Sequence, residues 1–76
     1  MVKIKLMGLM AHLAKARELE VKLDGPKTVD ELLREVIPRY DELHDKIILV
    51  NGVSAKGNYV LKDDDEVKVM PVLSGG

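Results

Sequence analysis

Thr28-Val29-Asp30-Glu31 opens the segment that most limits what this chain can fold into. The Thr28 hydroxyl can accept from the backbone N–H of Glu31, and the Glu31 carboxylate can reach back to the N–H of Thr28. Val29, Leu32, Leu33, Val36, Ile37 and Tyr40 then recur at helical spacing, which predicts an amphipathic helix with one apolar face. Pro38 limits it, because a proline ring clashes with the carbonyl four residues back. The regular helix is expected to end near Ile37, with a loose turn through Leu43. One such helix in 76 residues needs a sheet to cover.

The flanking segments supply the strands. Val2, Ile4 and Leu6 alternate with Lys3, Lys5 and Met7, a period of two that gives a strand with one buried face. Gly8 ends it, and Leu9 to Arg17 reads as a helical turn or two inside a connection. Leu19, Val21 and Leu23 alternate again up to Asp24-Gly25-Pro26, a strong turn signal. These two strands are expected to pair antiparallel. Lys46-Ile47-Ile48-Leu49-Val50 reads as a strand covered on both sides, closed by Asn51-Gly52, a pair suited to a two-residue hairpin. Val53 to Tyr59 is expected to be loop or a short edge strand, and Val60 and Leu61 to pack inward. After the acidic turn at Lys62 to Asp65, Glu66-Val67-Lys68-Val69-Met70 forms the last strand with Val67 and Val69 inward. The order is β-β-α-β-β, an α+β roll with a mixed sheet and one main helix on one face. The expected core is Val2, Ile4, Leu6, Leu19, Val21, Leu32, Leu33, Val36, Val67 and Val69.

Composition removes several function classes. The chain is too short for two domains. It has no cysteine, hence no disulfide, thiolate nucleophile or Cys-based metal site. The formal net charge is −1 with the signs interspersed, which leaves no electrostatic footprint for nucleic acid. No apolar run approaches the roughly 20 residues that cross a bilayer, and Met1 to Lys5 alternates where a signal peptide would be uniformly apolar. No membrane partner and a cytoplasmic location are expected by default.

Internal catalysis finds no support. His12 and His44 lie far apart without metal-ligand spacing, so no metal site is expected. The acidic run Asp63-Asp64-Asp65-Glu66 reads as a solvated turn between strands. Thr28 is taken as a cap, and nothing places a base beside Ser54 or Ser74.

The other end of the chain carries a chemical possibility. It reads Pro71-Val72-Leu73-Ser74-Gly75-Gly76 directly after the last strand. Pro71 has no N–H for a ladder, so pairing should fade there. A domain of residues 1–70 with a flexible tail of residues 71–76 is therefore expected. Gly75 and Gly76 lack Cβ atoms, so this arm can pass a channel too narrow for other residues and present a carboxylate to an enzyme. The bland alternative is a frayed terminus of no consequence.

The Thr28-Val29 helix start with Leu32, the Val50-Asn51-Gly52 turn, and Asp65-Glu66-Val67 leading to Pro71-Val72 and Gly75-Gly76 together resemble the β-grasp sulfur carriers and ubiquitin-like modifiers. The resemblance covers nearly the whole chain. It is nearest to the small subunit of molybdopterin synthase and to the small archaeal modifier proteins; the sulfur carrier of thiamin biosynthesis is similar but typically lacks a proline at position 71. The family's acidic turn usually has glycine where Asp64 stands, and the molybdopterin synthase subunit often has a proline at the place of Met70.

The resemblance implies a mechanism. An E1-like enzyme using Mg-ATP would adenylate the Gly76 carboxylate, with Gly75 behind it. A persulfide would then give a thiocarboxylate, or an amine would give an isopeptide. The chain would be a carrier or modifier and not an enzyme, with no permanently bound cofactor. Its partners would be the E1-like enzyme and the large subunit of molybdopterin synthase or protein targets. In the β-grasp order the first and last strands are neighbours, which would place Met7 beside Met70 on the outer face. With the tail residues Pro71, Val72, Leu73 and Ser74 they would form the partner-binding surface. The alternative reading is a ubiquitin-like interaction domain whose tail is never activated.

Overall fold

The computed structural model describes residues 1–43 and 45–72. Its elements are β1 (Val2–Leu6), α1 (Leu9–Ala14), β2 (Glu18–Val21), α2 (Val29–Val36), a 3₁₀ turn (Tyr40–Glu42), β3 (Lys46–Val50), β4 (Val53–Ser54) and β5 (Glu66–Pro71). The sheet order is β2-β1-β5-β3-β4. Only β1 and β5 run parallel; the other neighbours are antiparallel. This is the expected roll, and Val53–Ser54 takes the short-edge-strand alternative expected for that segment.

α2 starts as its sequence dictates. The Glu31 N–H donates to the Thr28 hydroxyl at 3.2 Å, and the Thr28 N–H donates to the Glu31 carboxylate at 3.0 Å. These bonds hold the Glu31 carboxyl below its usual range, the backbone bond from Thr28 contributing most. Asp30 and Glu31 lie in the first turn and Arg34 in the last, the arrangement the helix dipole favours. The helix ends at Val36 with Ile37 as its C-cap, just before Pro38. Arg39 turns the chain with a positive φ of 62°.

The core lies between the helix layer and one sheet face. Val2, Ile4, Leu6, Leu32, Leu33, Val67 and Val69 are buried as expected, joined by Met10, Val29, Ile37, Tyr40, Ile48, Val50 and Leu61. Leu19, Val21 and Val36 differ: they pack on the core but are only half-buried. β2 is an edge strand, so no further strand covers its flank. Val60 also differs, facing solvent at 52% exposure while Leu61 fills the interior. Its backbone bridges Thr28, and successive residues of extended chain point to opposite sides.

β3 is not covered on both sides. Ile48 and Val50 are buried, but Ile47 is 39% exposed, because the helices cover one face of the sheet only. The Asn51-Gly52 hairpin forms as expected. Val50 pairs with Val53, and both turn residues have positive φ (53° and 82°), as the favoured two-residue turn requires.

The acidic turn is more than a solvated loop. Asp65 is buried; it accepts from the Lys62 N–H at 2.8 Å and from the Asn51 side-chain amide at 2.9 Å. The Asn51 side-chain oxygen accepts from the Glu66 N–H at 2.9 Å, so the β3–β4 hairpin is tied to the start of β5. Asp64 takes a positive φ of 70°. Asp is among the few residues that tolerate that conformation.

Candidate functional site: the end of β5 and the open sheet face

β5 is the central strand, so its far end is fixed by neighbours on both sides. Pairing does not fade at Pro71. Pro71 stands opposite Lys46, and the Val72 N–H donates to the Asp45 carbonyl at 3.2 Å. A proline lacks only its own donor, and the next residue completes the ladder. The ladder therefore runs to Val72, the last described residue before the Gly-Gly sequence.

Gly8 sets the other side of that strand end. Its φ is 59°, and a Cβ there would stand 3.0 Å from Cγ of Pro71 and 3.3 Å from Cδ. Gly8 both turns the chain from β1 into α1 and leaves room for the proline ring.

The open sheet face beside that strand end is apolar. In the parallel register Leu6 faces Val69, and the Met7 N–H donates to the Val69 carbonyl at 3.0 Å, so Met7 comes level with Met70. Ile47 pairs with Met70 from the other side. Met7, Met70 and Ile47 thus form one row across three strands. Met7 is 48% and Val72 43% exposed; Met70 and Pro71 are half-buried. Lys5 and Lys68 lie next along the same face, with Lys5 paired to Glu66 at 3.5 Å.

The structure therefore brings Met7 and Met70 together on the open face with Val72 at its end, while Pro71, in step with buried Val67 and Val69, turns to the helix side against Gly8. Leu73, Ser74, Gly75 and Gly76, the remaining expected site residues, lie outside the described residues, as does His44. Ile47 and half-buried Leu49 were missed on this face. An unbroken apolar run has no parity of its own. Counting back from Asn51-Gly52, with Val50 inward, places Ile48 inward and Ile47 and Leu49 outward.

One short polar pair lies elsewhere. The buried Tyr40 hydroxyl donates to Asp30 at 2.6 Å, and the Lys46 ammonium sits 4.6 Å from the centre of the Tyr40 ring. Burial first, and then the bond to Asp30, push the phenol above its ordinary range. The pair joins α2 to the 3₁₀ turn on the side away from the open face. Among the described residues no group of three His, Asp or Glu side chains could hold a metal ion, and no helix is long and apolar enough to cross a membrane.

A mixed five-stranded sheet with both helices on one face and an apolar row on the other is the β-grasp architecture of the sulfur-carrier and ubiquitin-like class. The ThiS family model matches residues 4–76, and the chain belongs to that family. Among solved structures it is similar to SAMP1 from Haloferax volcanii, at 29% identity over 99% of this chain and 98% of that one, with a TM-score of 0.74. It is also similar to a putative molybdopterin converting factor, subunit 1, from Pyrococcus furiosus, at 28% identity over 95% and 97%, with a TM-score of 0.76. A chain of the Amycolatopsis orientalis BexX/CysO complex shares the fold at 18% identity, 100% coverage of both and a TM-score of 0.76. No curated protein matches the chain.

Proposed function

We propose that this protein is a sulfur carrier activated at the Gly76 carboxylate, acting in molybdopterin formation and doubling as a protein modifier. The observation that carries the reading is the anchored root of the arm: Val72 is bonded to Asp45, and Pro71 is seated on Gly8. An arm launched from the middle of a sheet reaches a partner's site from a fixed point. Reactions between held groups gain most from such positioning.

The chemistry needs a leaving group. A carboxylate is a poor electrophile, and attack of its oxygen on the α-phosphorus of ATP releases pyrophosphate and leaves an acyl adenylate. Sulfide displaces AMP to leave a thiocarboxylate directly; a persulfide displaces it to give an acyl disulfide, which a second thiol of the donor protein cleaves to the thiocarboxylate, forming a disulfide on the donor; an amine displaces AMP to leave an isopeptide. A chain without cysteine cannot carry the sulfur as a persulfide of its own, which is consistent with a terminal thiocarboxylate. The E1-like partner supplies Mg-ATP and the catalytic groups, while this chain supplies the arm and the Met7–Met70–Ile47 face. The likeness to the Pyrococcus furiosus converting factor supports the molybdopterin role, and the likeness to SAMP1 supports the modifier role.

Intact mass after incubation with the host's E1-like enzyme, Mg-ATP and a sulfur source tests the reading. The expected product has one oxygen replaced by sulfur; with an acceptor present, a conjugate carries the target's mass. An unchanged mass under both conditions would overturn the proposal and leave a ubiquitin-like interaction domain.

A further inference from the structure

The apolar row does not end at Met7. A hollow of about 310 Å³ lined by Leu6, Met7, Gly8, Ala11 and Arg17 adjoins one of about 490 Å³ lined by Gly8, Ala11, His12, Lys15, Ala16 and Arg17. Gly8, Ala11 and Arg17 are common to both, so the two form one notch from the open sheet face to the end of α1. Its floor is made of small residues and its far rim is basic. Lys15 and Arg17 are exposed, and neither has an ion-pair partner among the described residues. Lys5, Lys27, Arg34 and Arg39 are paired with carboxylates, whereas Lys3, Lys22, Lys46, Lys56, Lys62 and Lys68 share with Lys15 and Arg17 the lack of an ion pair among the described residues; what sets Lys15 and Arg17 apart is that both line the notch.

The notch lies at the tail end of the sheet. β1 and β5 run parallel, so Gly8, after β1, and Pro71, closing β5, meet at the same end. Arg17 enters β2 there, its carbonyl accepting from the Leu6 N–H at 2.8 Å. Among the described residues that end also holds carboxylates: Glu18, opposite Lys5, exposed Asp45, and Glu42, which borders Leu9 and Leu13 of α1. The opposite end, where β2 finishes and β5 begins, carries both signs: Asp24, Asp63, Asp64 and Glu66 lie there with Lys3, Lys22 and the Met1 ammonium, which pairs with Asp63 and Asp64.

We infer that the notch between Gly8 and Arg17 receives carboxylates of the protein that takes the tail, so that an acidic surface on this partner steers the chain in arm first. The inference rests on the proposed activation in one respect, the identity of that partner. Arg17 presents a planar fork that matches a carboxylate in two bonds, and Lys15 adds a point charge at the rim. The small floor residues leave space for the incoming side chain. Complementary charge of this kind acts mainly on the rate and orientation of encounter, raising association about 10- to 1000-fold.

The test is ATP–pyrophosphate exchange with the host's E1-like enzyme as carrier concentration is varied. Wild type is compared with Lys15→Glu/Arg17→Glu and with Lys22→Glu/Lys62→Glu, which changes the net charge equally at the opposite end of the sheet. The notch variant is expected to raise KM about tenfold or more at low salt with kcat unchanged, the gap closing to about twofold in 0.5 M NaCl, where charges are screened beyond about 4 Å. The control is expected to stay within about twofold of wild type. An equal rise in the control, or an unchanged KM in the notch variant, would overturn the proposal while leaving the activation intact. All altered side chains are exposed, and Lys15→Gln/Arg17→Gln repeats the test should the reversals misfold. If wild type shows no exchange, the activation reading fails by itself, and calorimetric titration of the same proteins with the same enzyme still reads the notch. Inorganic phosphate that shifts the Lys15 and Arg17 amide resonances, in a carrier whose binding to the enzyme ignores both charges, would make the notch a phosphate site and sink the proposal.

Discussion

Gly8 and Pro71 meet so closely that a Cβ on the glycine would stand 3.0 Å from Cγ of the proline ring. One residue leaves β1 and the other closes β5, so this contact joins the turn after the first strand to the root of the arm. Gly8→Ala is expected to act twice. The positive φ of 59° is strained for alanine, and the methyl pushes the ring aside. A loss of about 1–3 kcal/mol in stability is expected from such strain. Faster hydrogen exchange at the Val72 amide, bonded to Asp45, would report the displaced root. Wild-type protection at Val72 in the alanine variant would show that the contact does not position the arm.

The Tyr40–Asp30 bond gives a pH dependence with a definite sign. In the unfolded chain the phenol ionises near pH 10. In the fold, burial and then the Asp30 bond hold it protonated to higher pH. Above about pH 10 the folded state therefore binds more protons than the unfolded one, and stability falls as pH rises. Below pH 10 the contribution is fully present. Tyr40→Phe is expected to cost about 1–3 kcal/mol at pH 7, since it removes a bond to a charged acceptor. The gap between the two proteins should narrow from pH 10 upward in urea melts. A gap that stays constant to pH 11 would contradict the assignment.

Leu33 is fully buried at the centre of the α2–sheet interface. Leu33→Ala should cost on the order of 2–5 kcal/mol, a large part of the stability of so small a domain. An unchanged thermal midpoint would be incompatible with the packing described.

Local chemistry made much of this fold legible in advance. The Thr28–Glu31 box, the Asn51-Gly52 turn and the strand parities at Val2, Ile4, Leu6, Val67 and Val69 each depend on residues near in sequence. What escaped depends on distant partners. Asp65 could not be seen as buried, because its ligand Asn51 is fourteen residues away. Ile47 could not be seen as exposed from an unbroken apolar run. The half-burial of Leu19 and Val21 follows from β2 being an edge, a property of the sheet order and not of the strand. At the site, Met7 and Met70 were reached through strand parity and the family's strand order, whereas Arg17 and Gly8 meet only in three dimensions.

The open face predicts a separation of folding from binding. Ile47 and Met70 pair across β3 and β5 on the side the helices leave uncovered. Ile47→Asp and Met70→Asp should each leave the circular dichroism spectrum unchanged and weaken binding of the E1-like enzyme about tenfold or more, as truncation of a central interface residue commonly does. The null is that single exposed apolar residues are ordinary on protein surfaces. Wild-type affinity in both variants would support it and remove the face from the interface.

The arm carries the decisive prediction. Deleting Gly76 leaves a carboxylate on Gly75 but shortens the arm by about 3.3–3.6 Å, and a misplacement of about 1 Å can already cost 100-fold in rate. The anchoring of Val72 to Asp45 sharpens this, because the ladder bond would have to break for the root to advance. The deletion is therefore expected to reduce ATP–pyrophosphate exchange at least 100-fold. Gly75→Val should do the same by adding a branched side chain and restricting φ where the arm enters a confined site. Both positions lie past β5, so both proteins should melt with wild type. Exchange by the Gly76 deletion at the wild-type rate would end the carboxylate hypothesis. Lost exchange together with a lowered melting temperature would instead place the tail within the folded body.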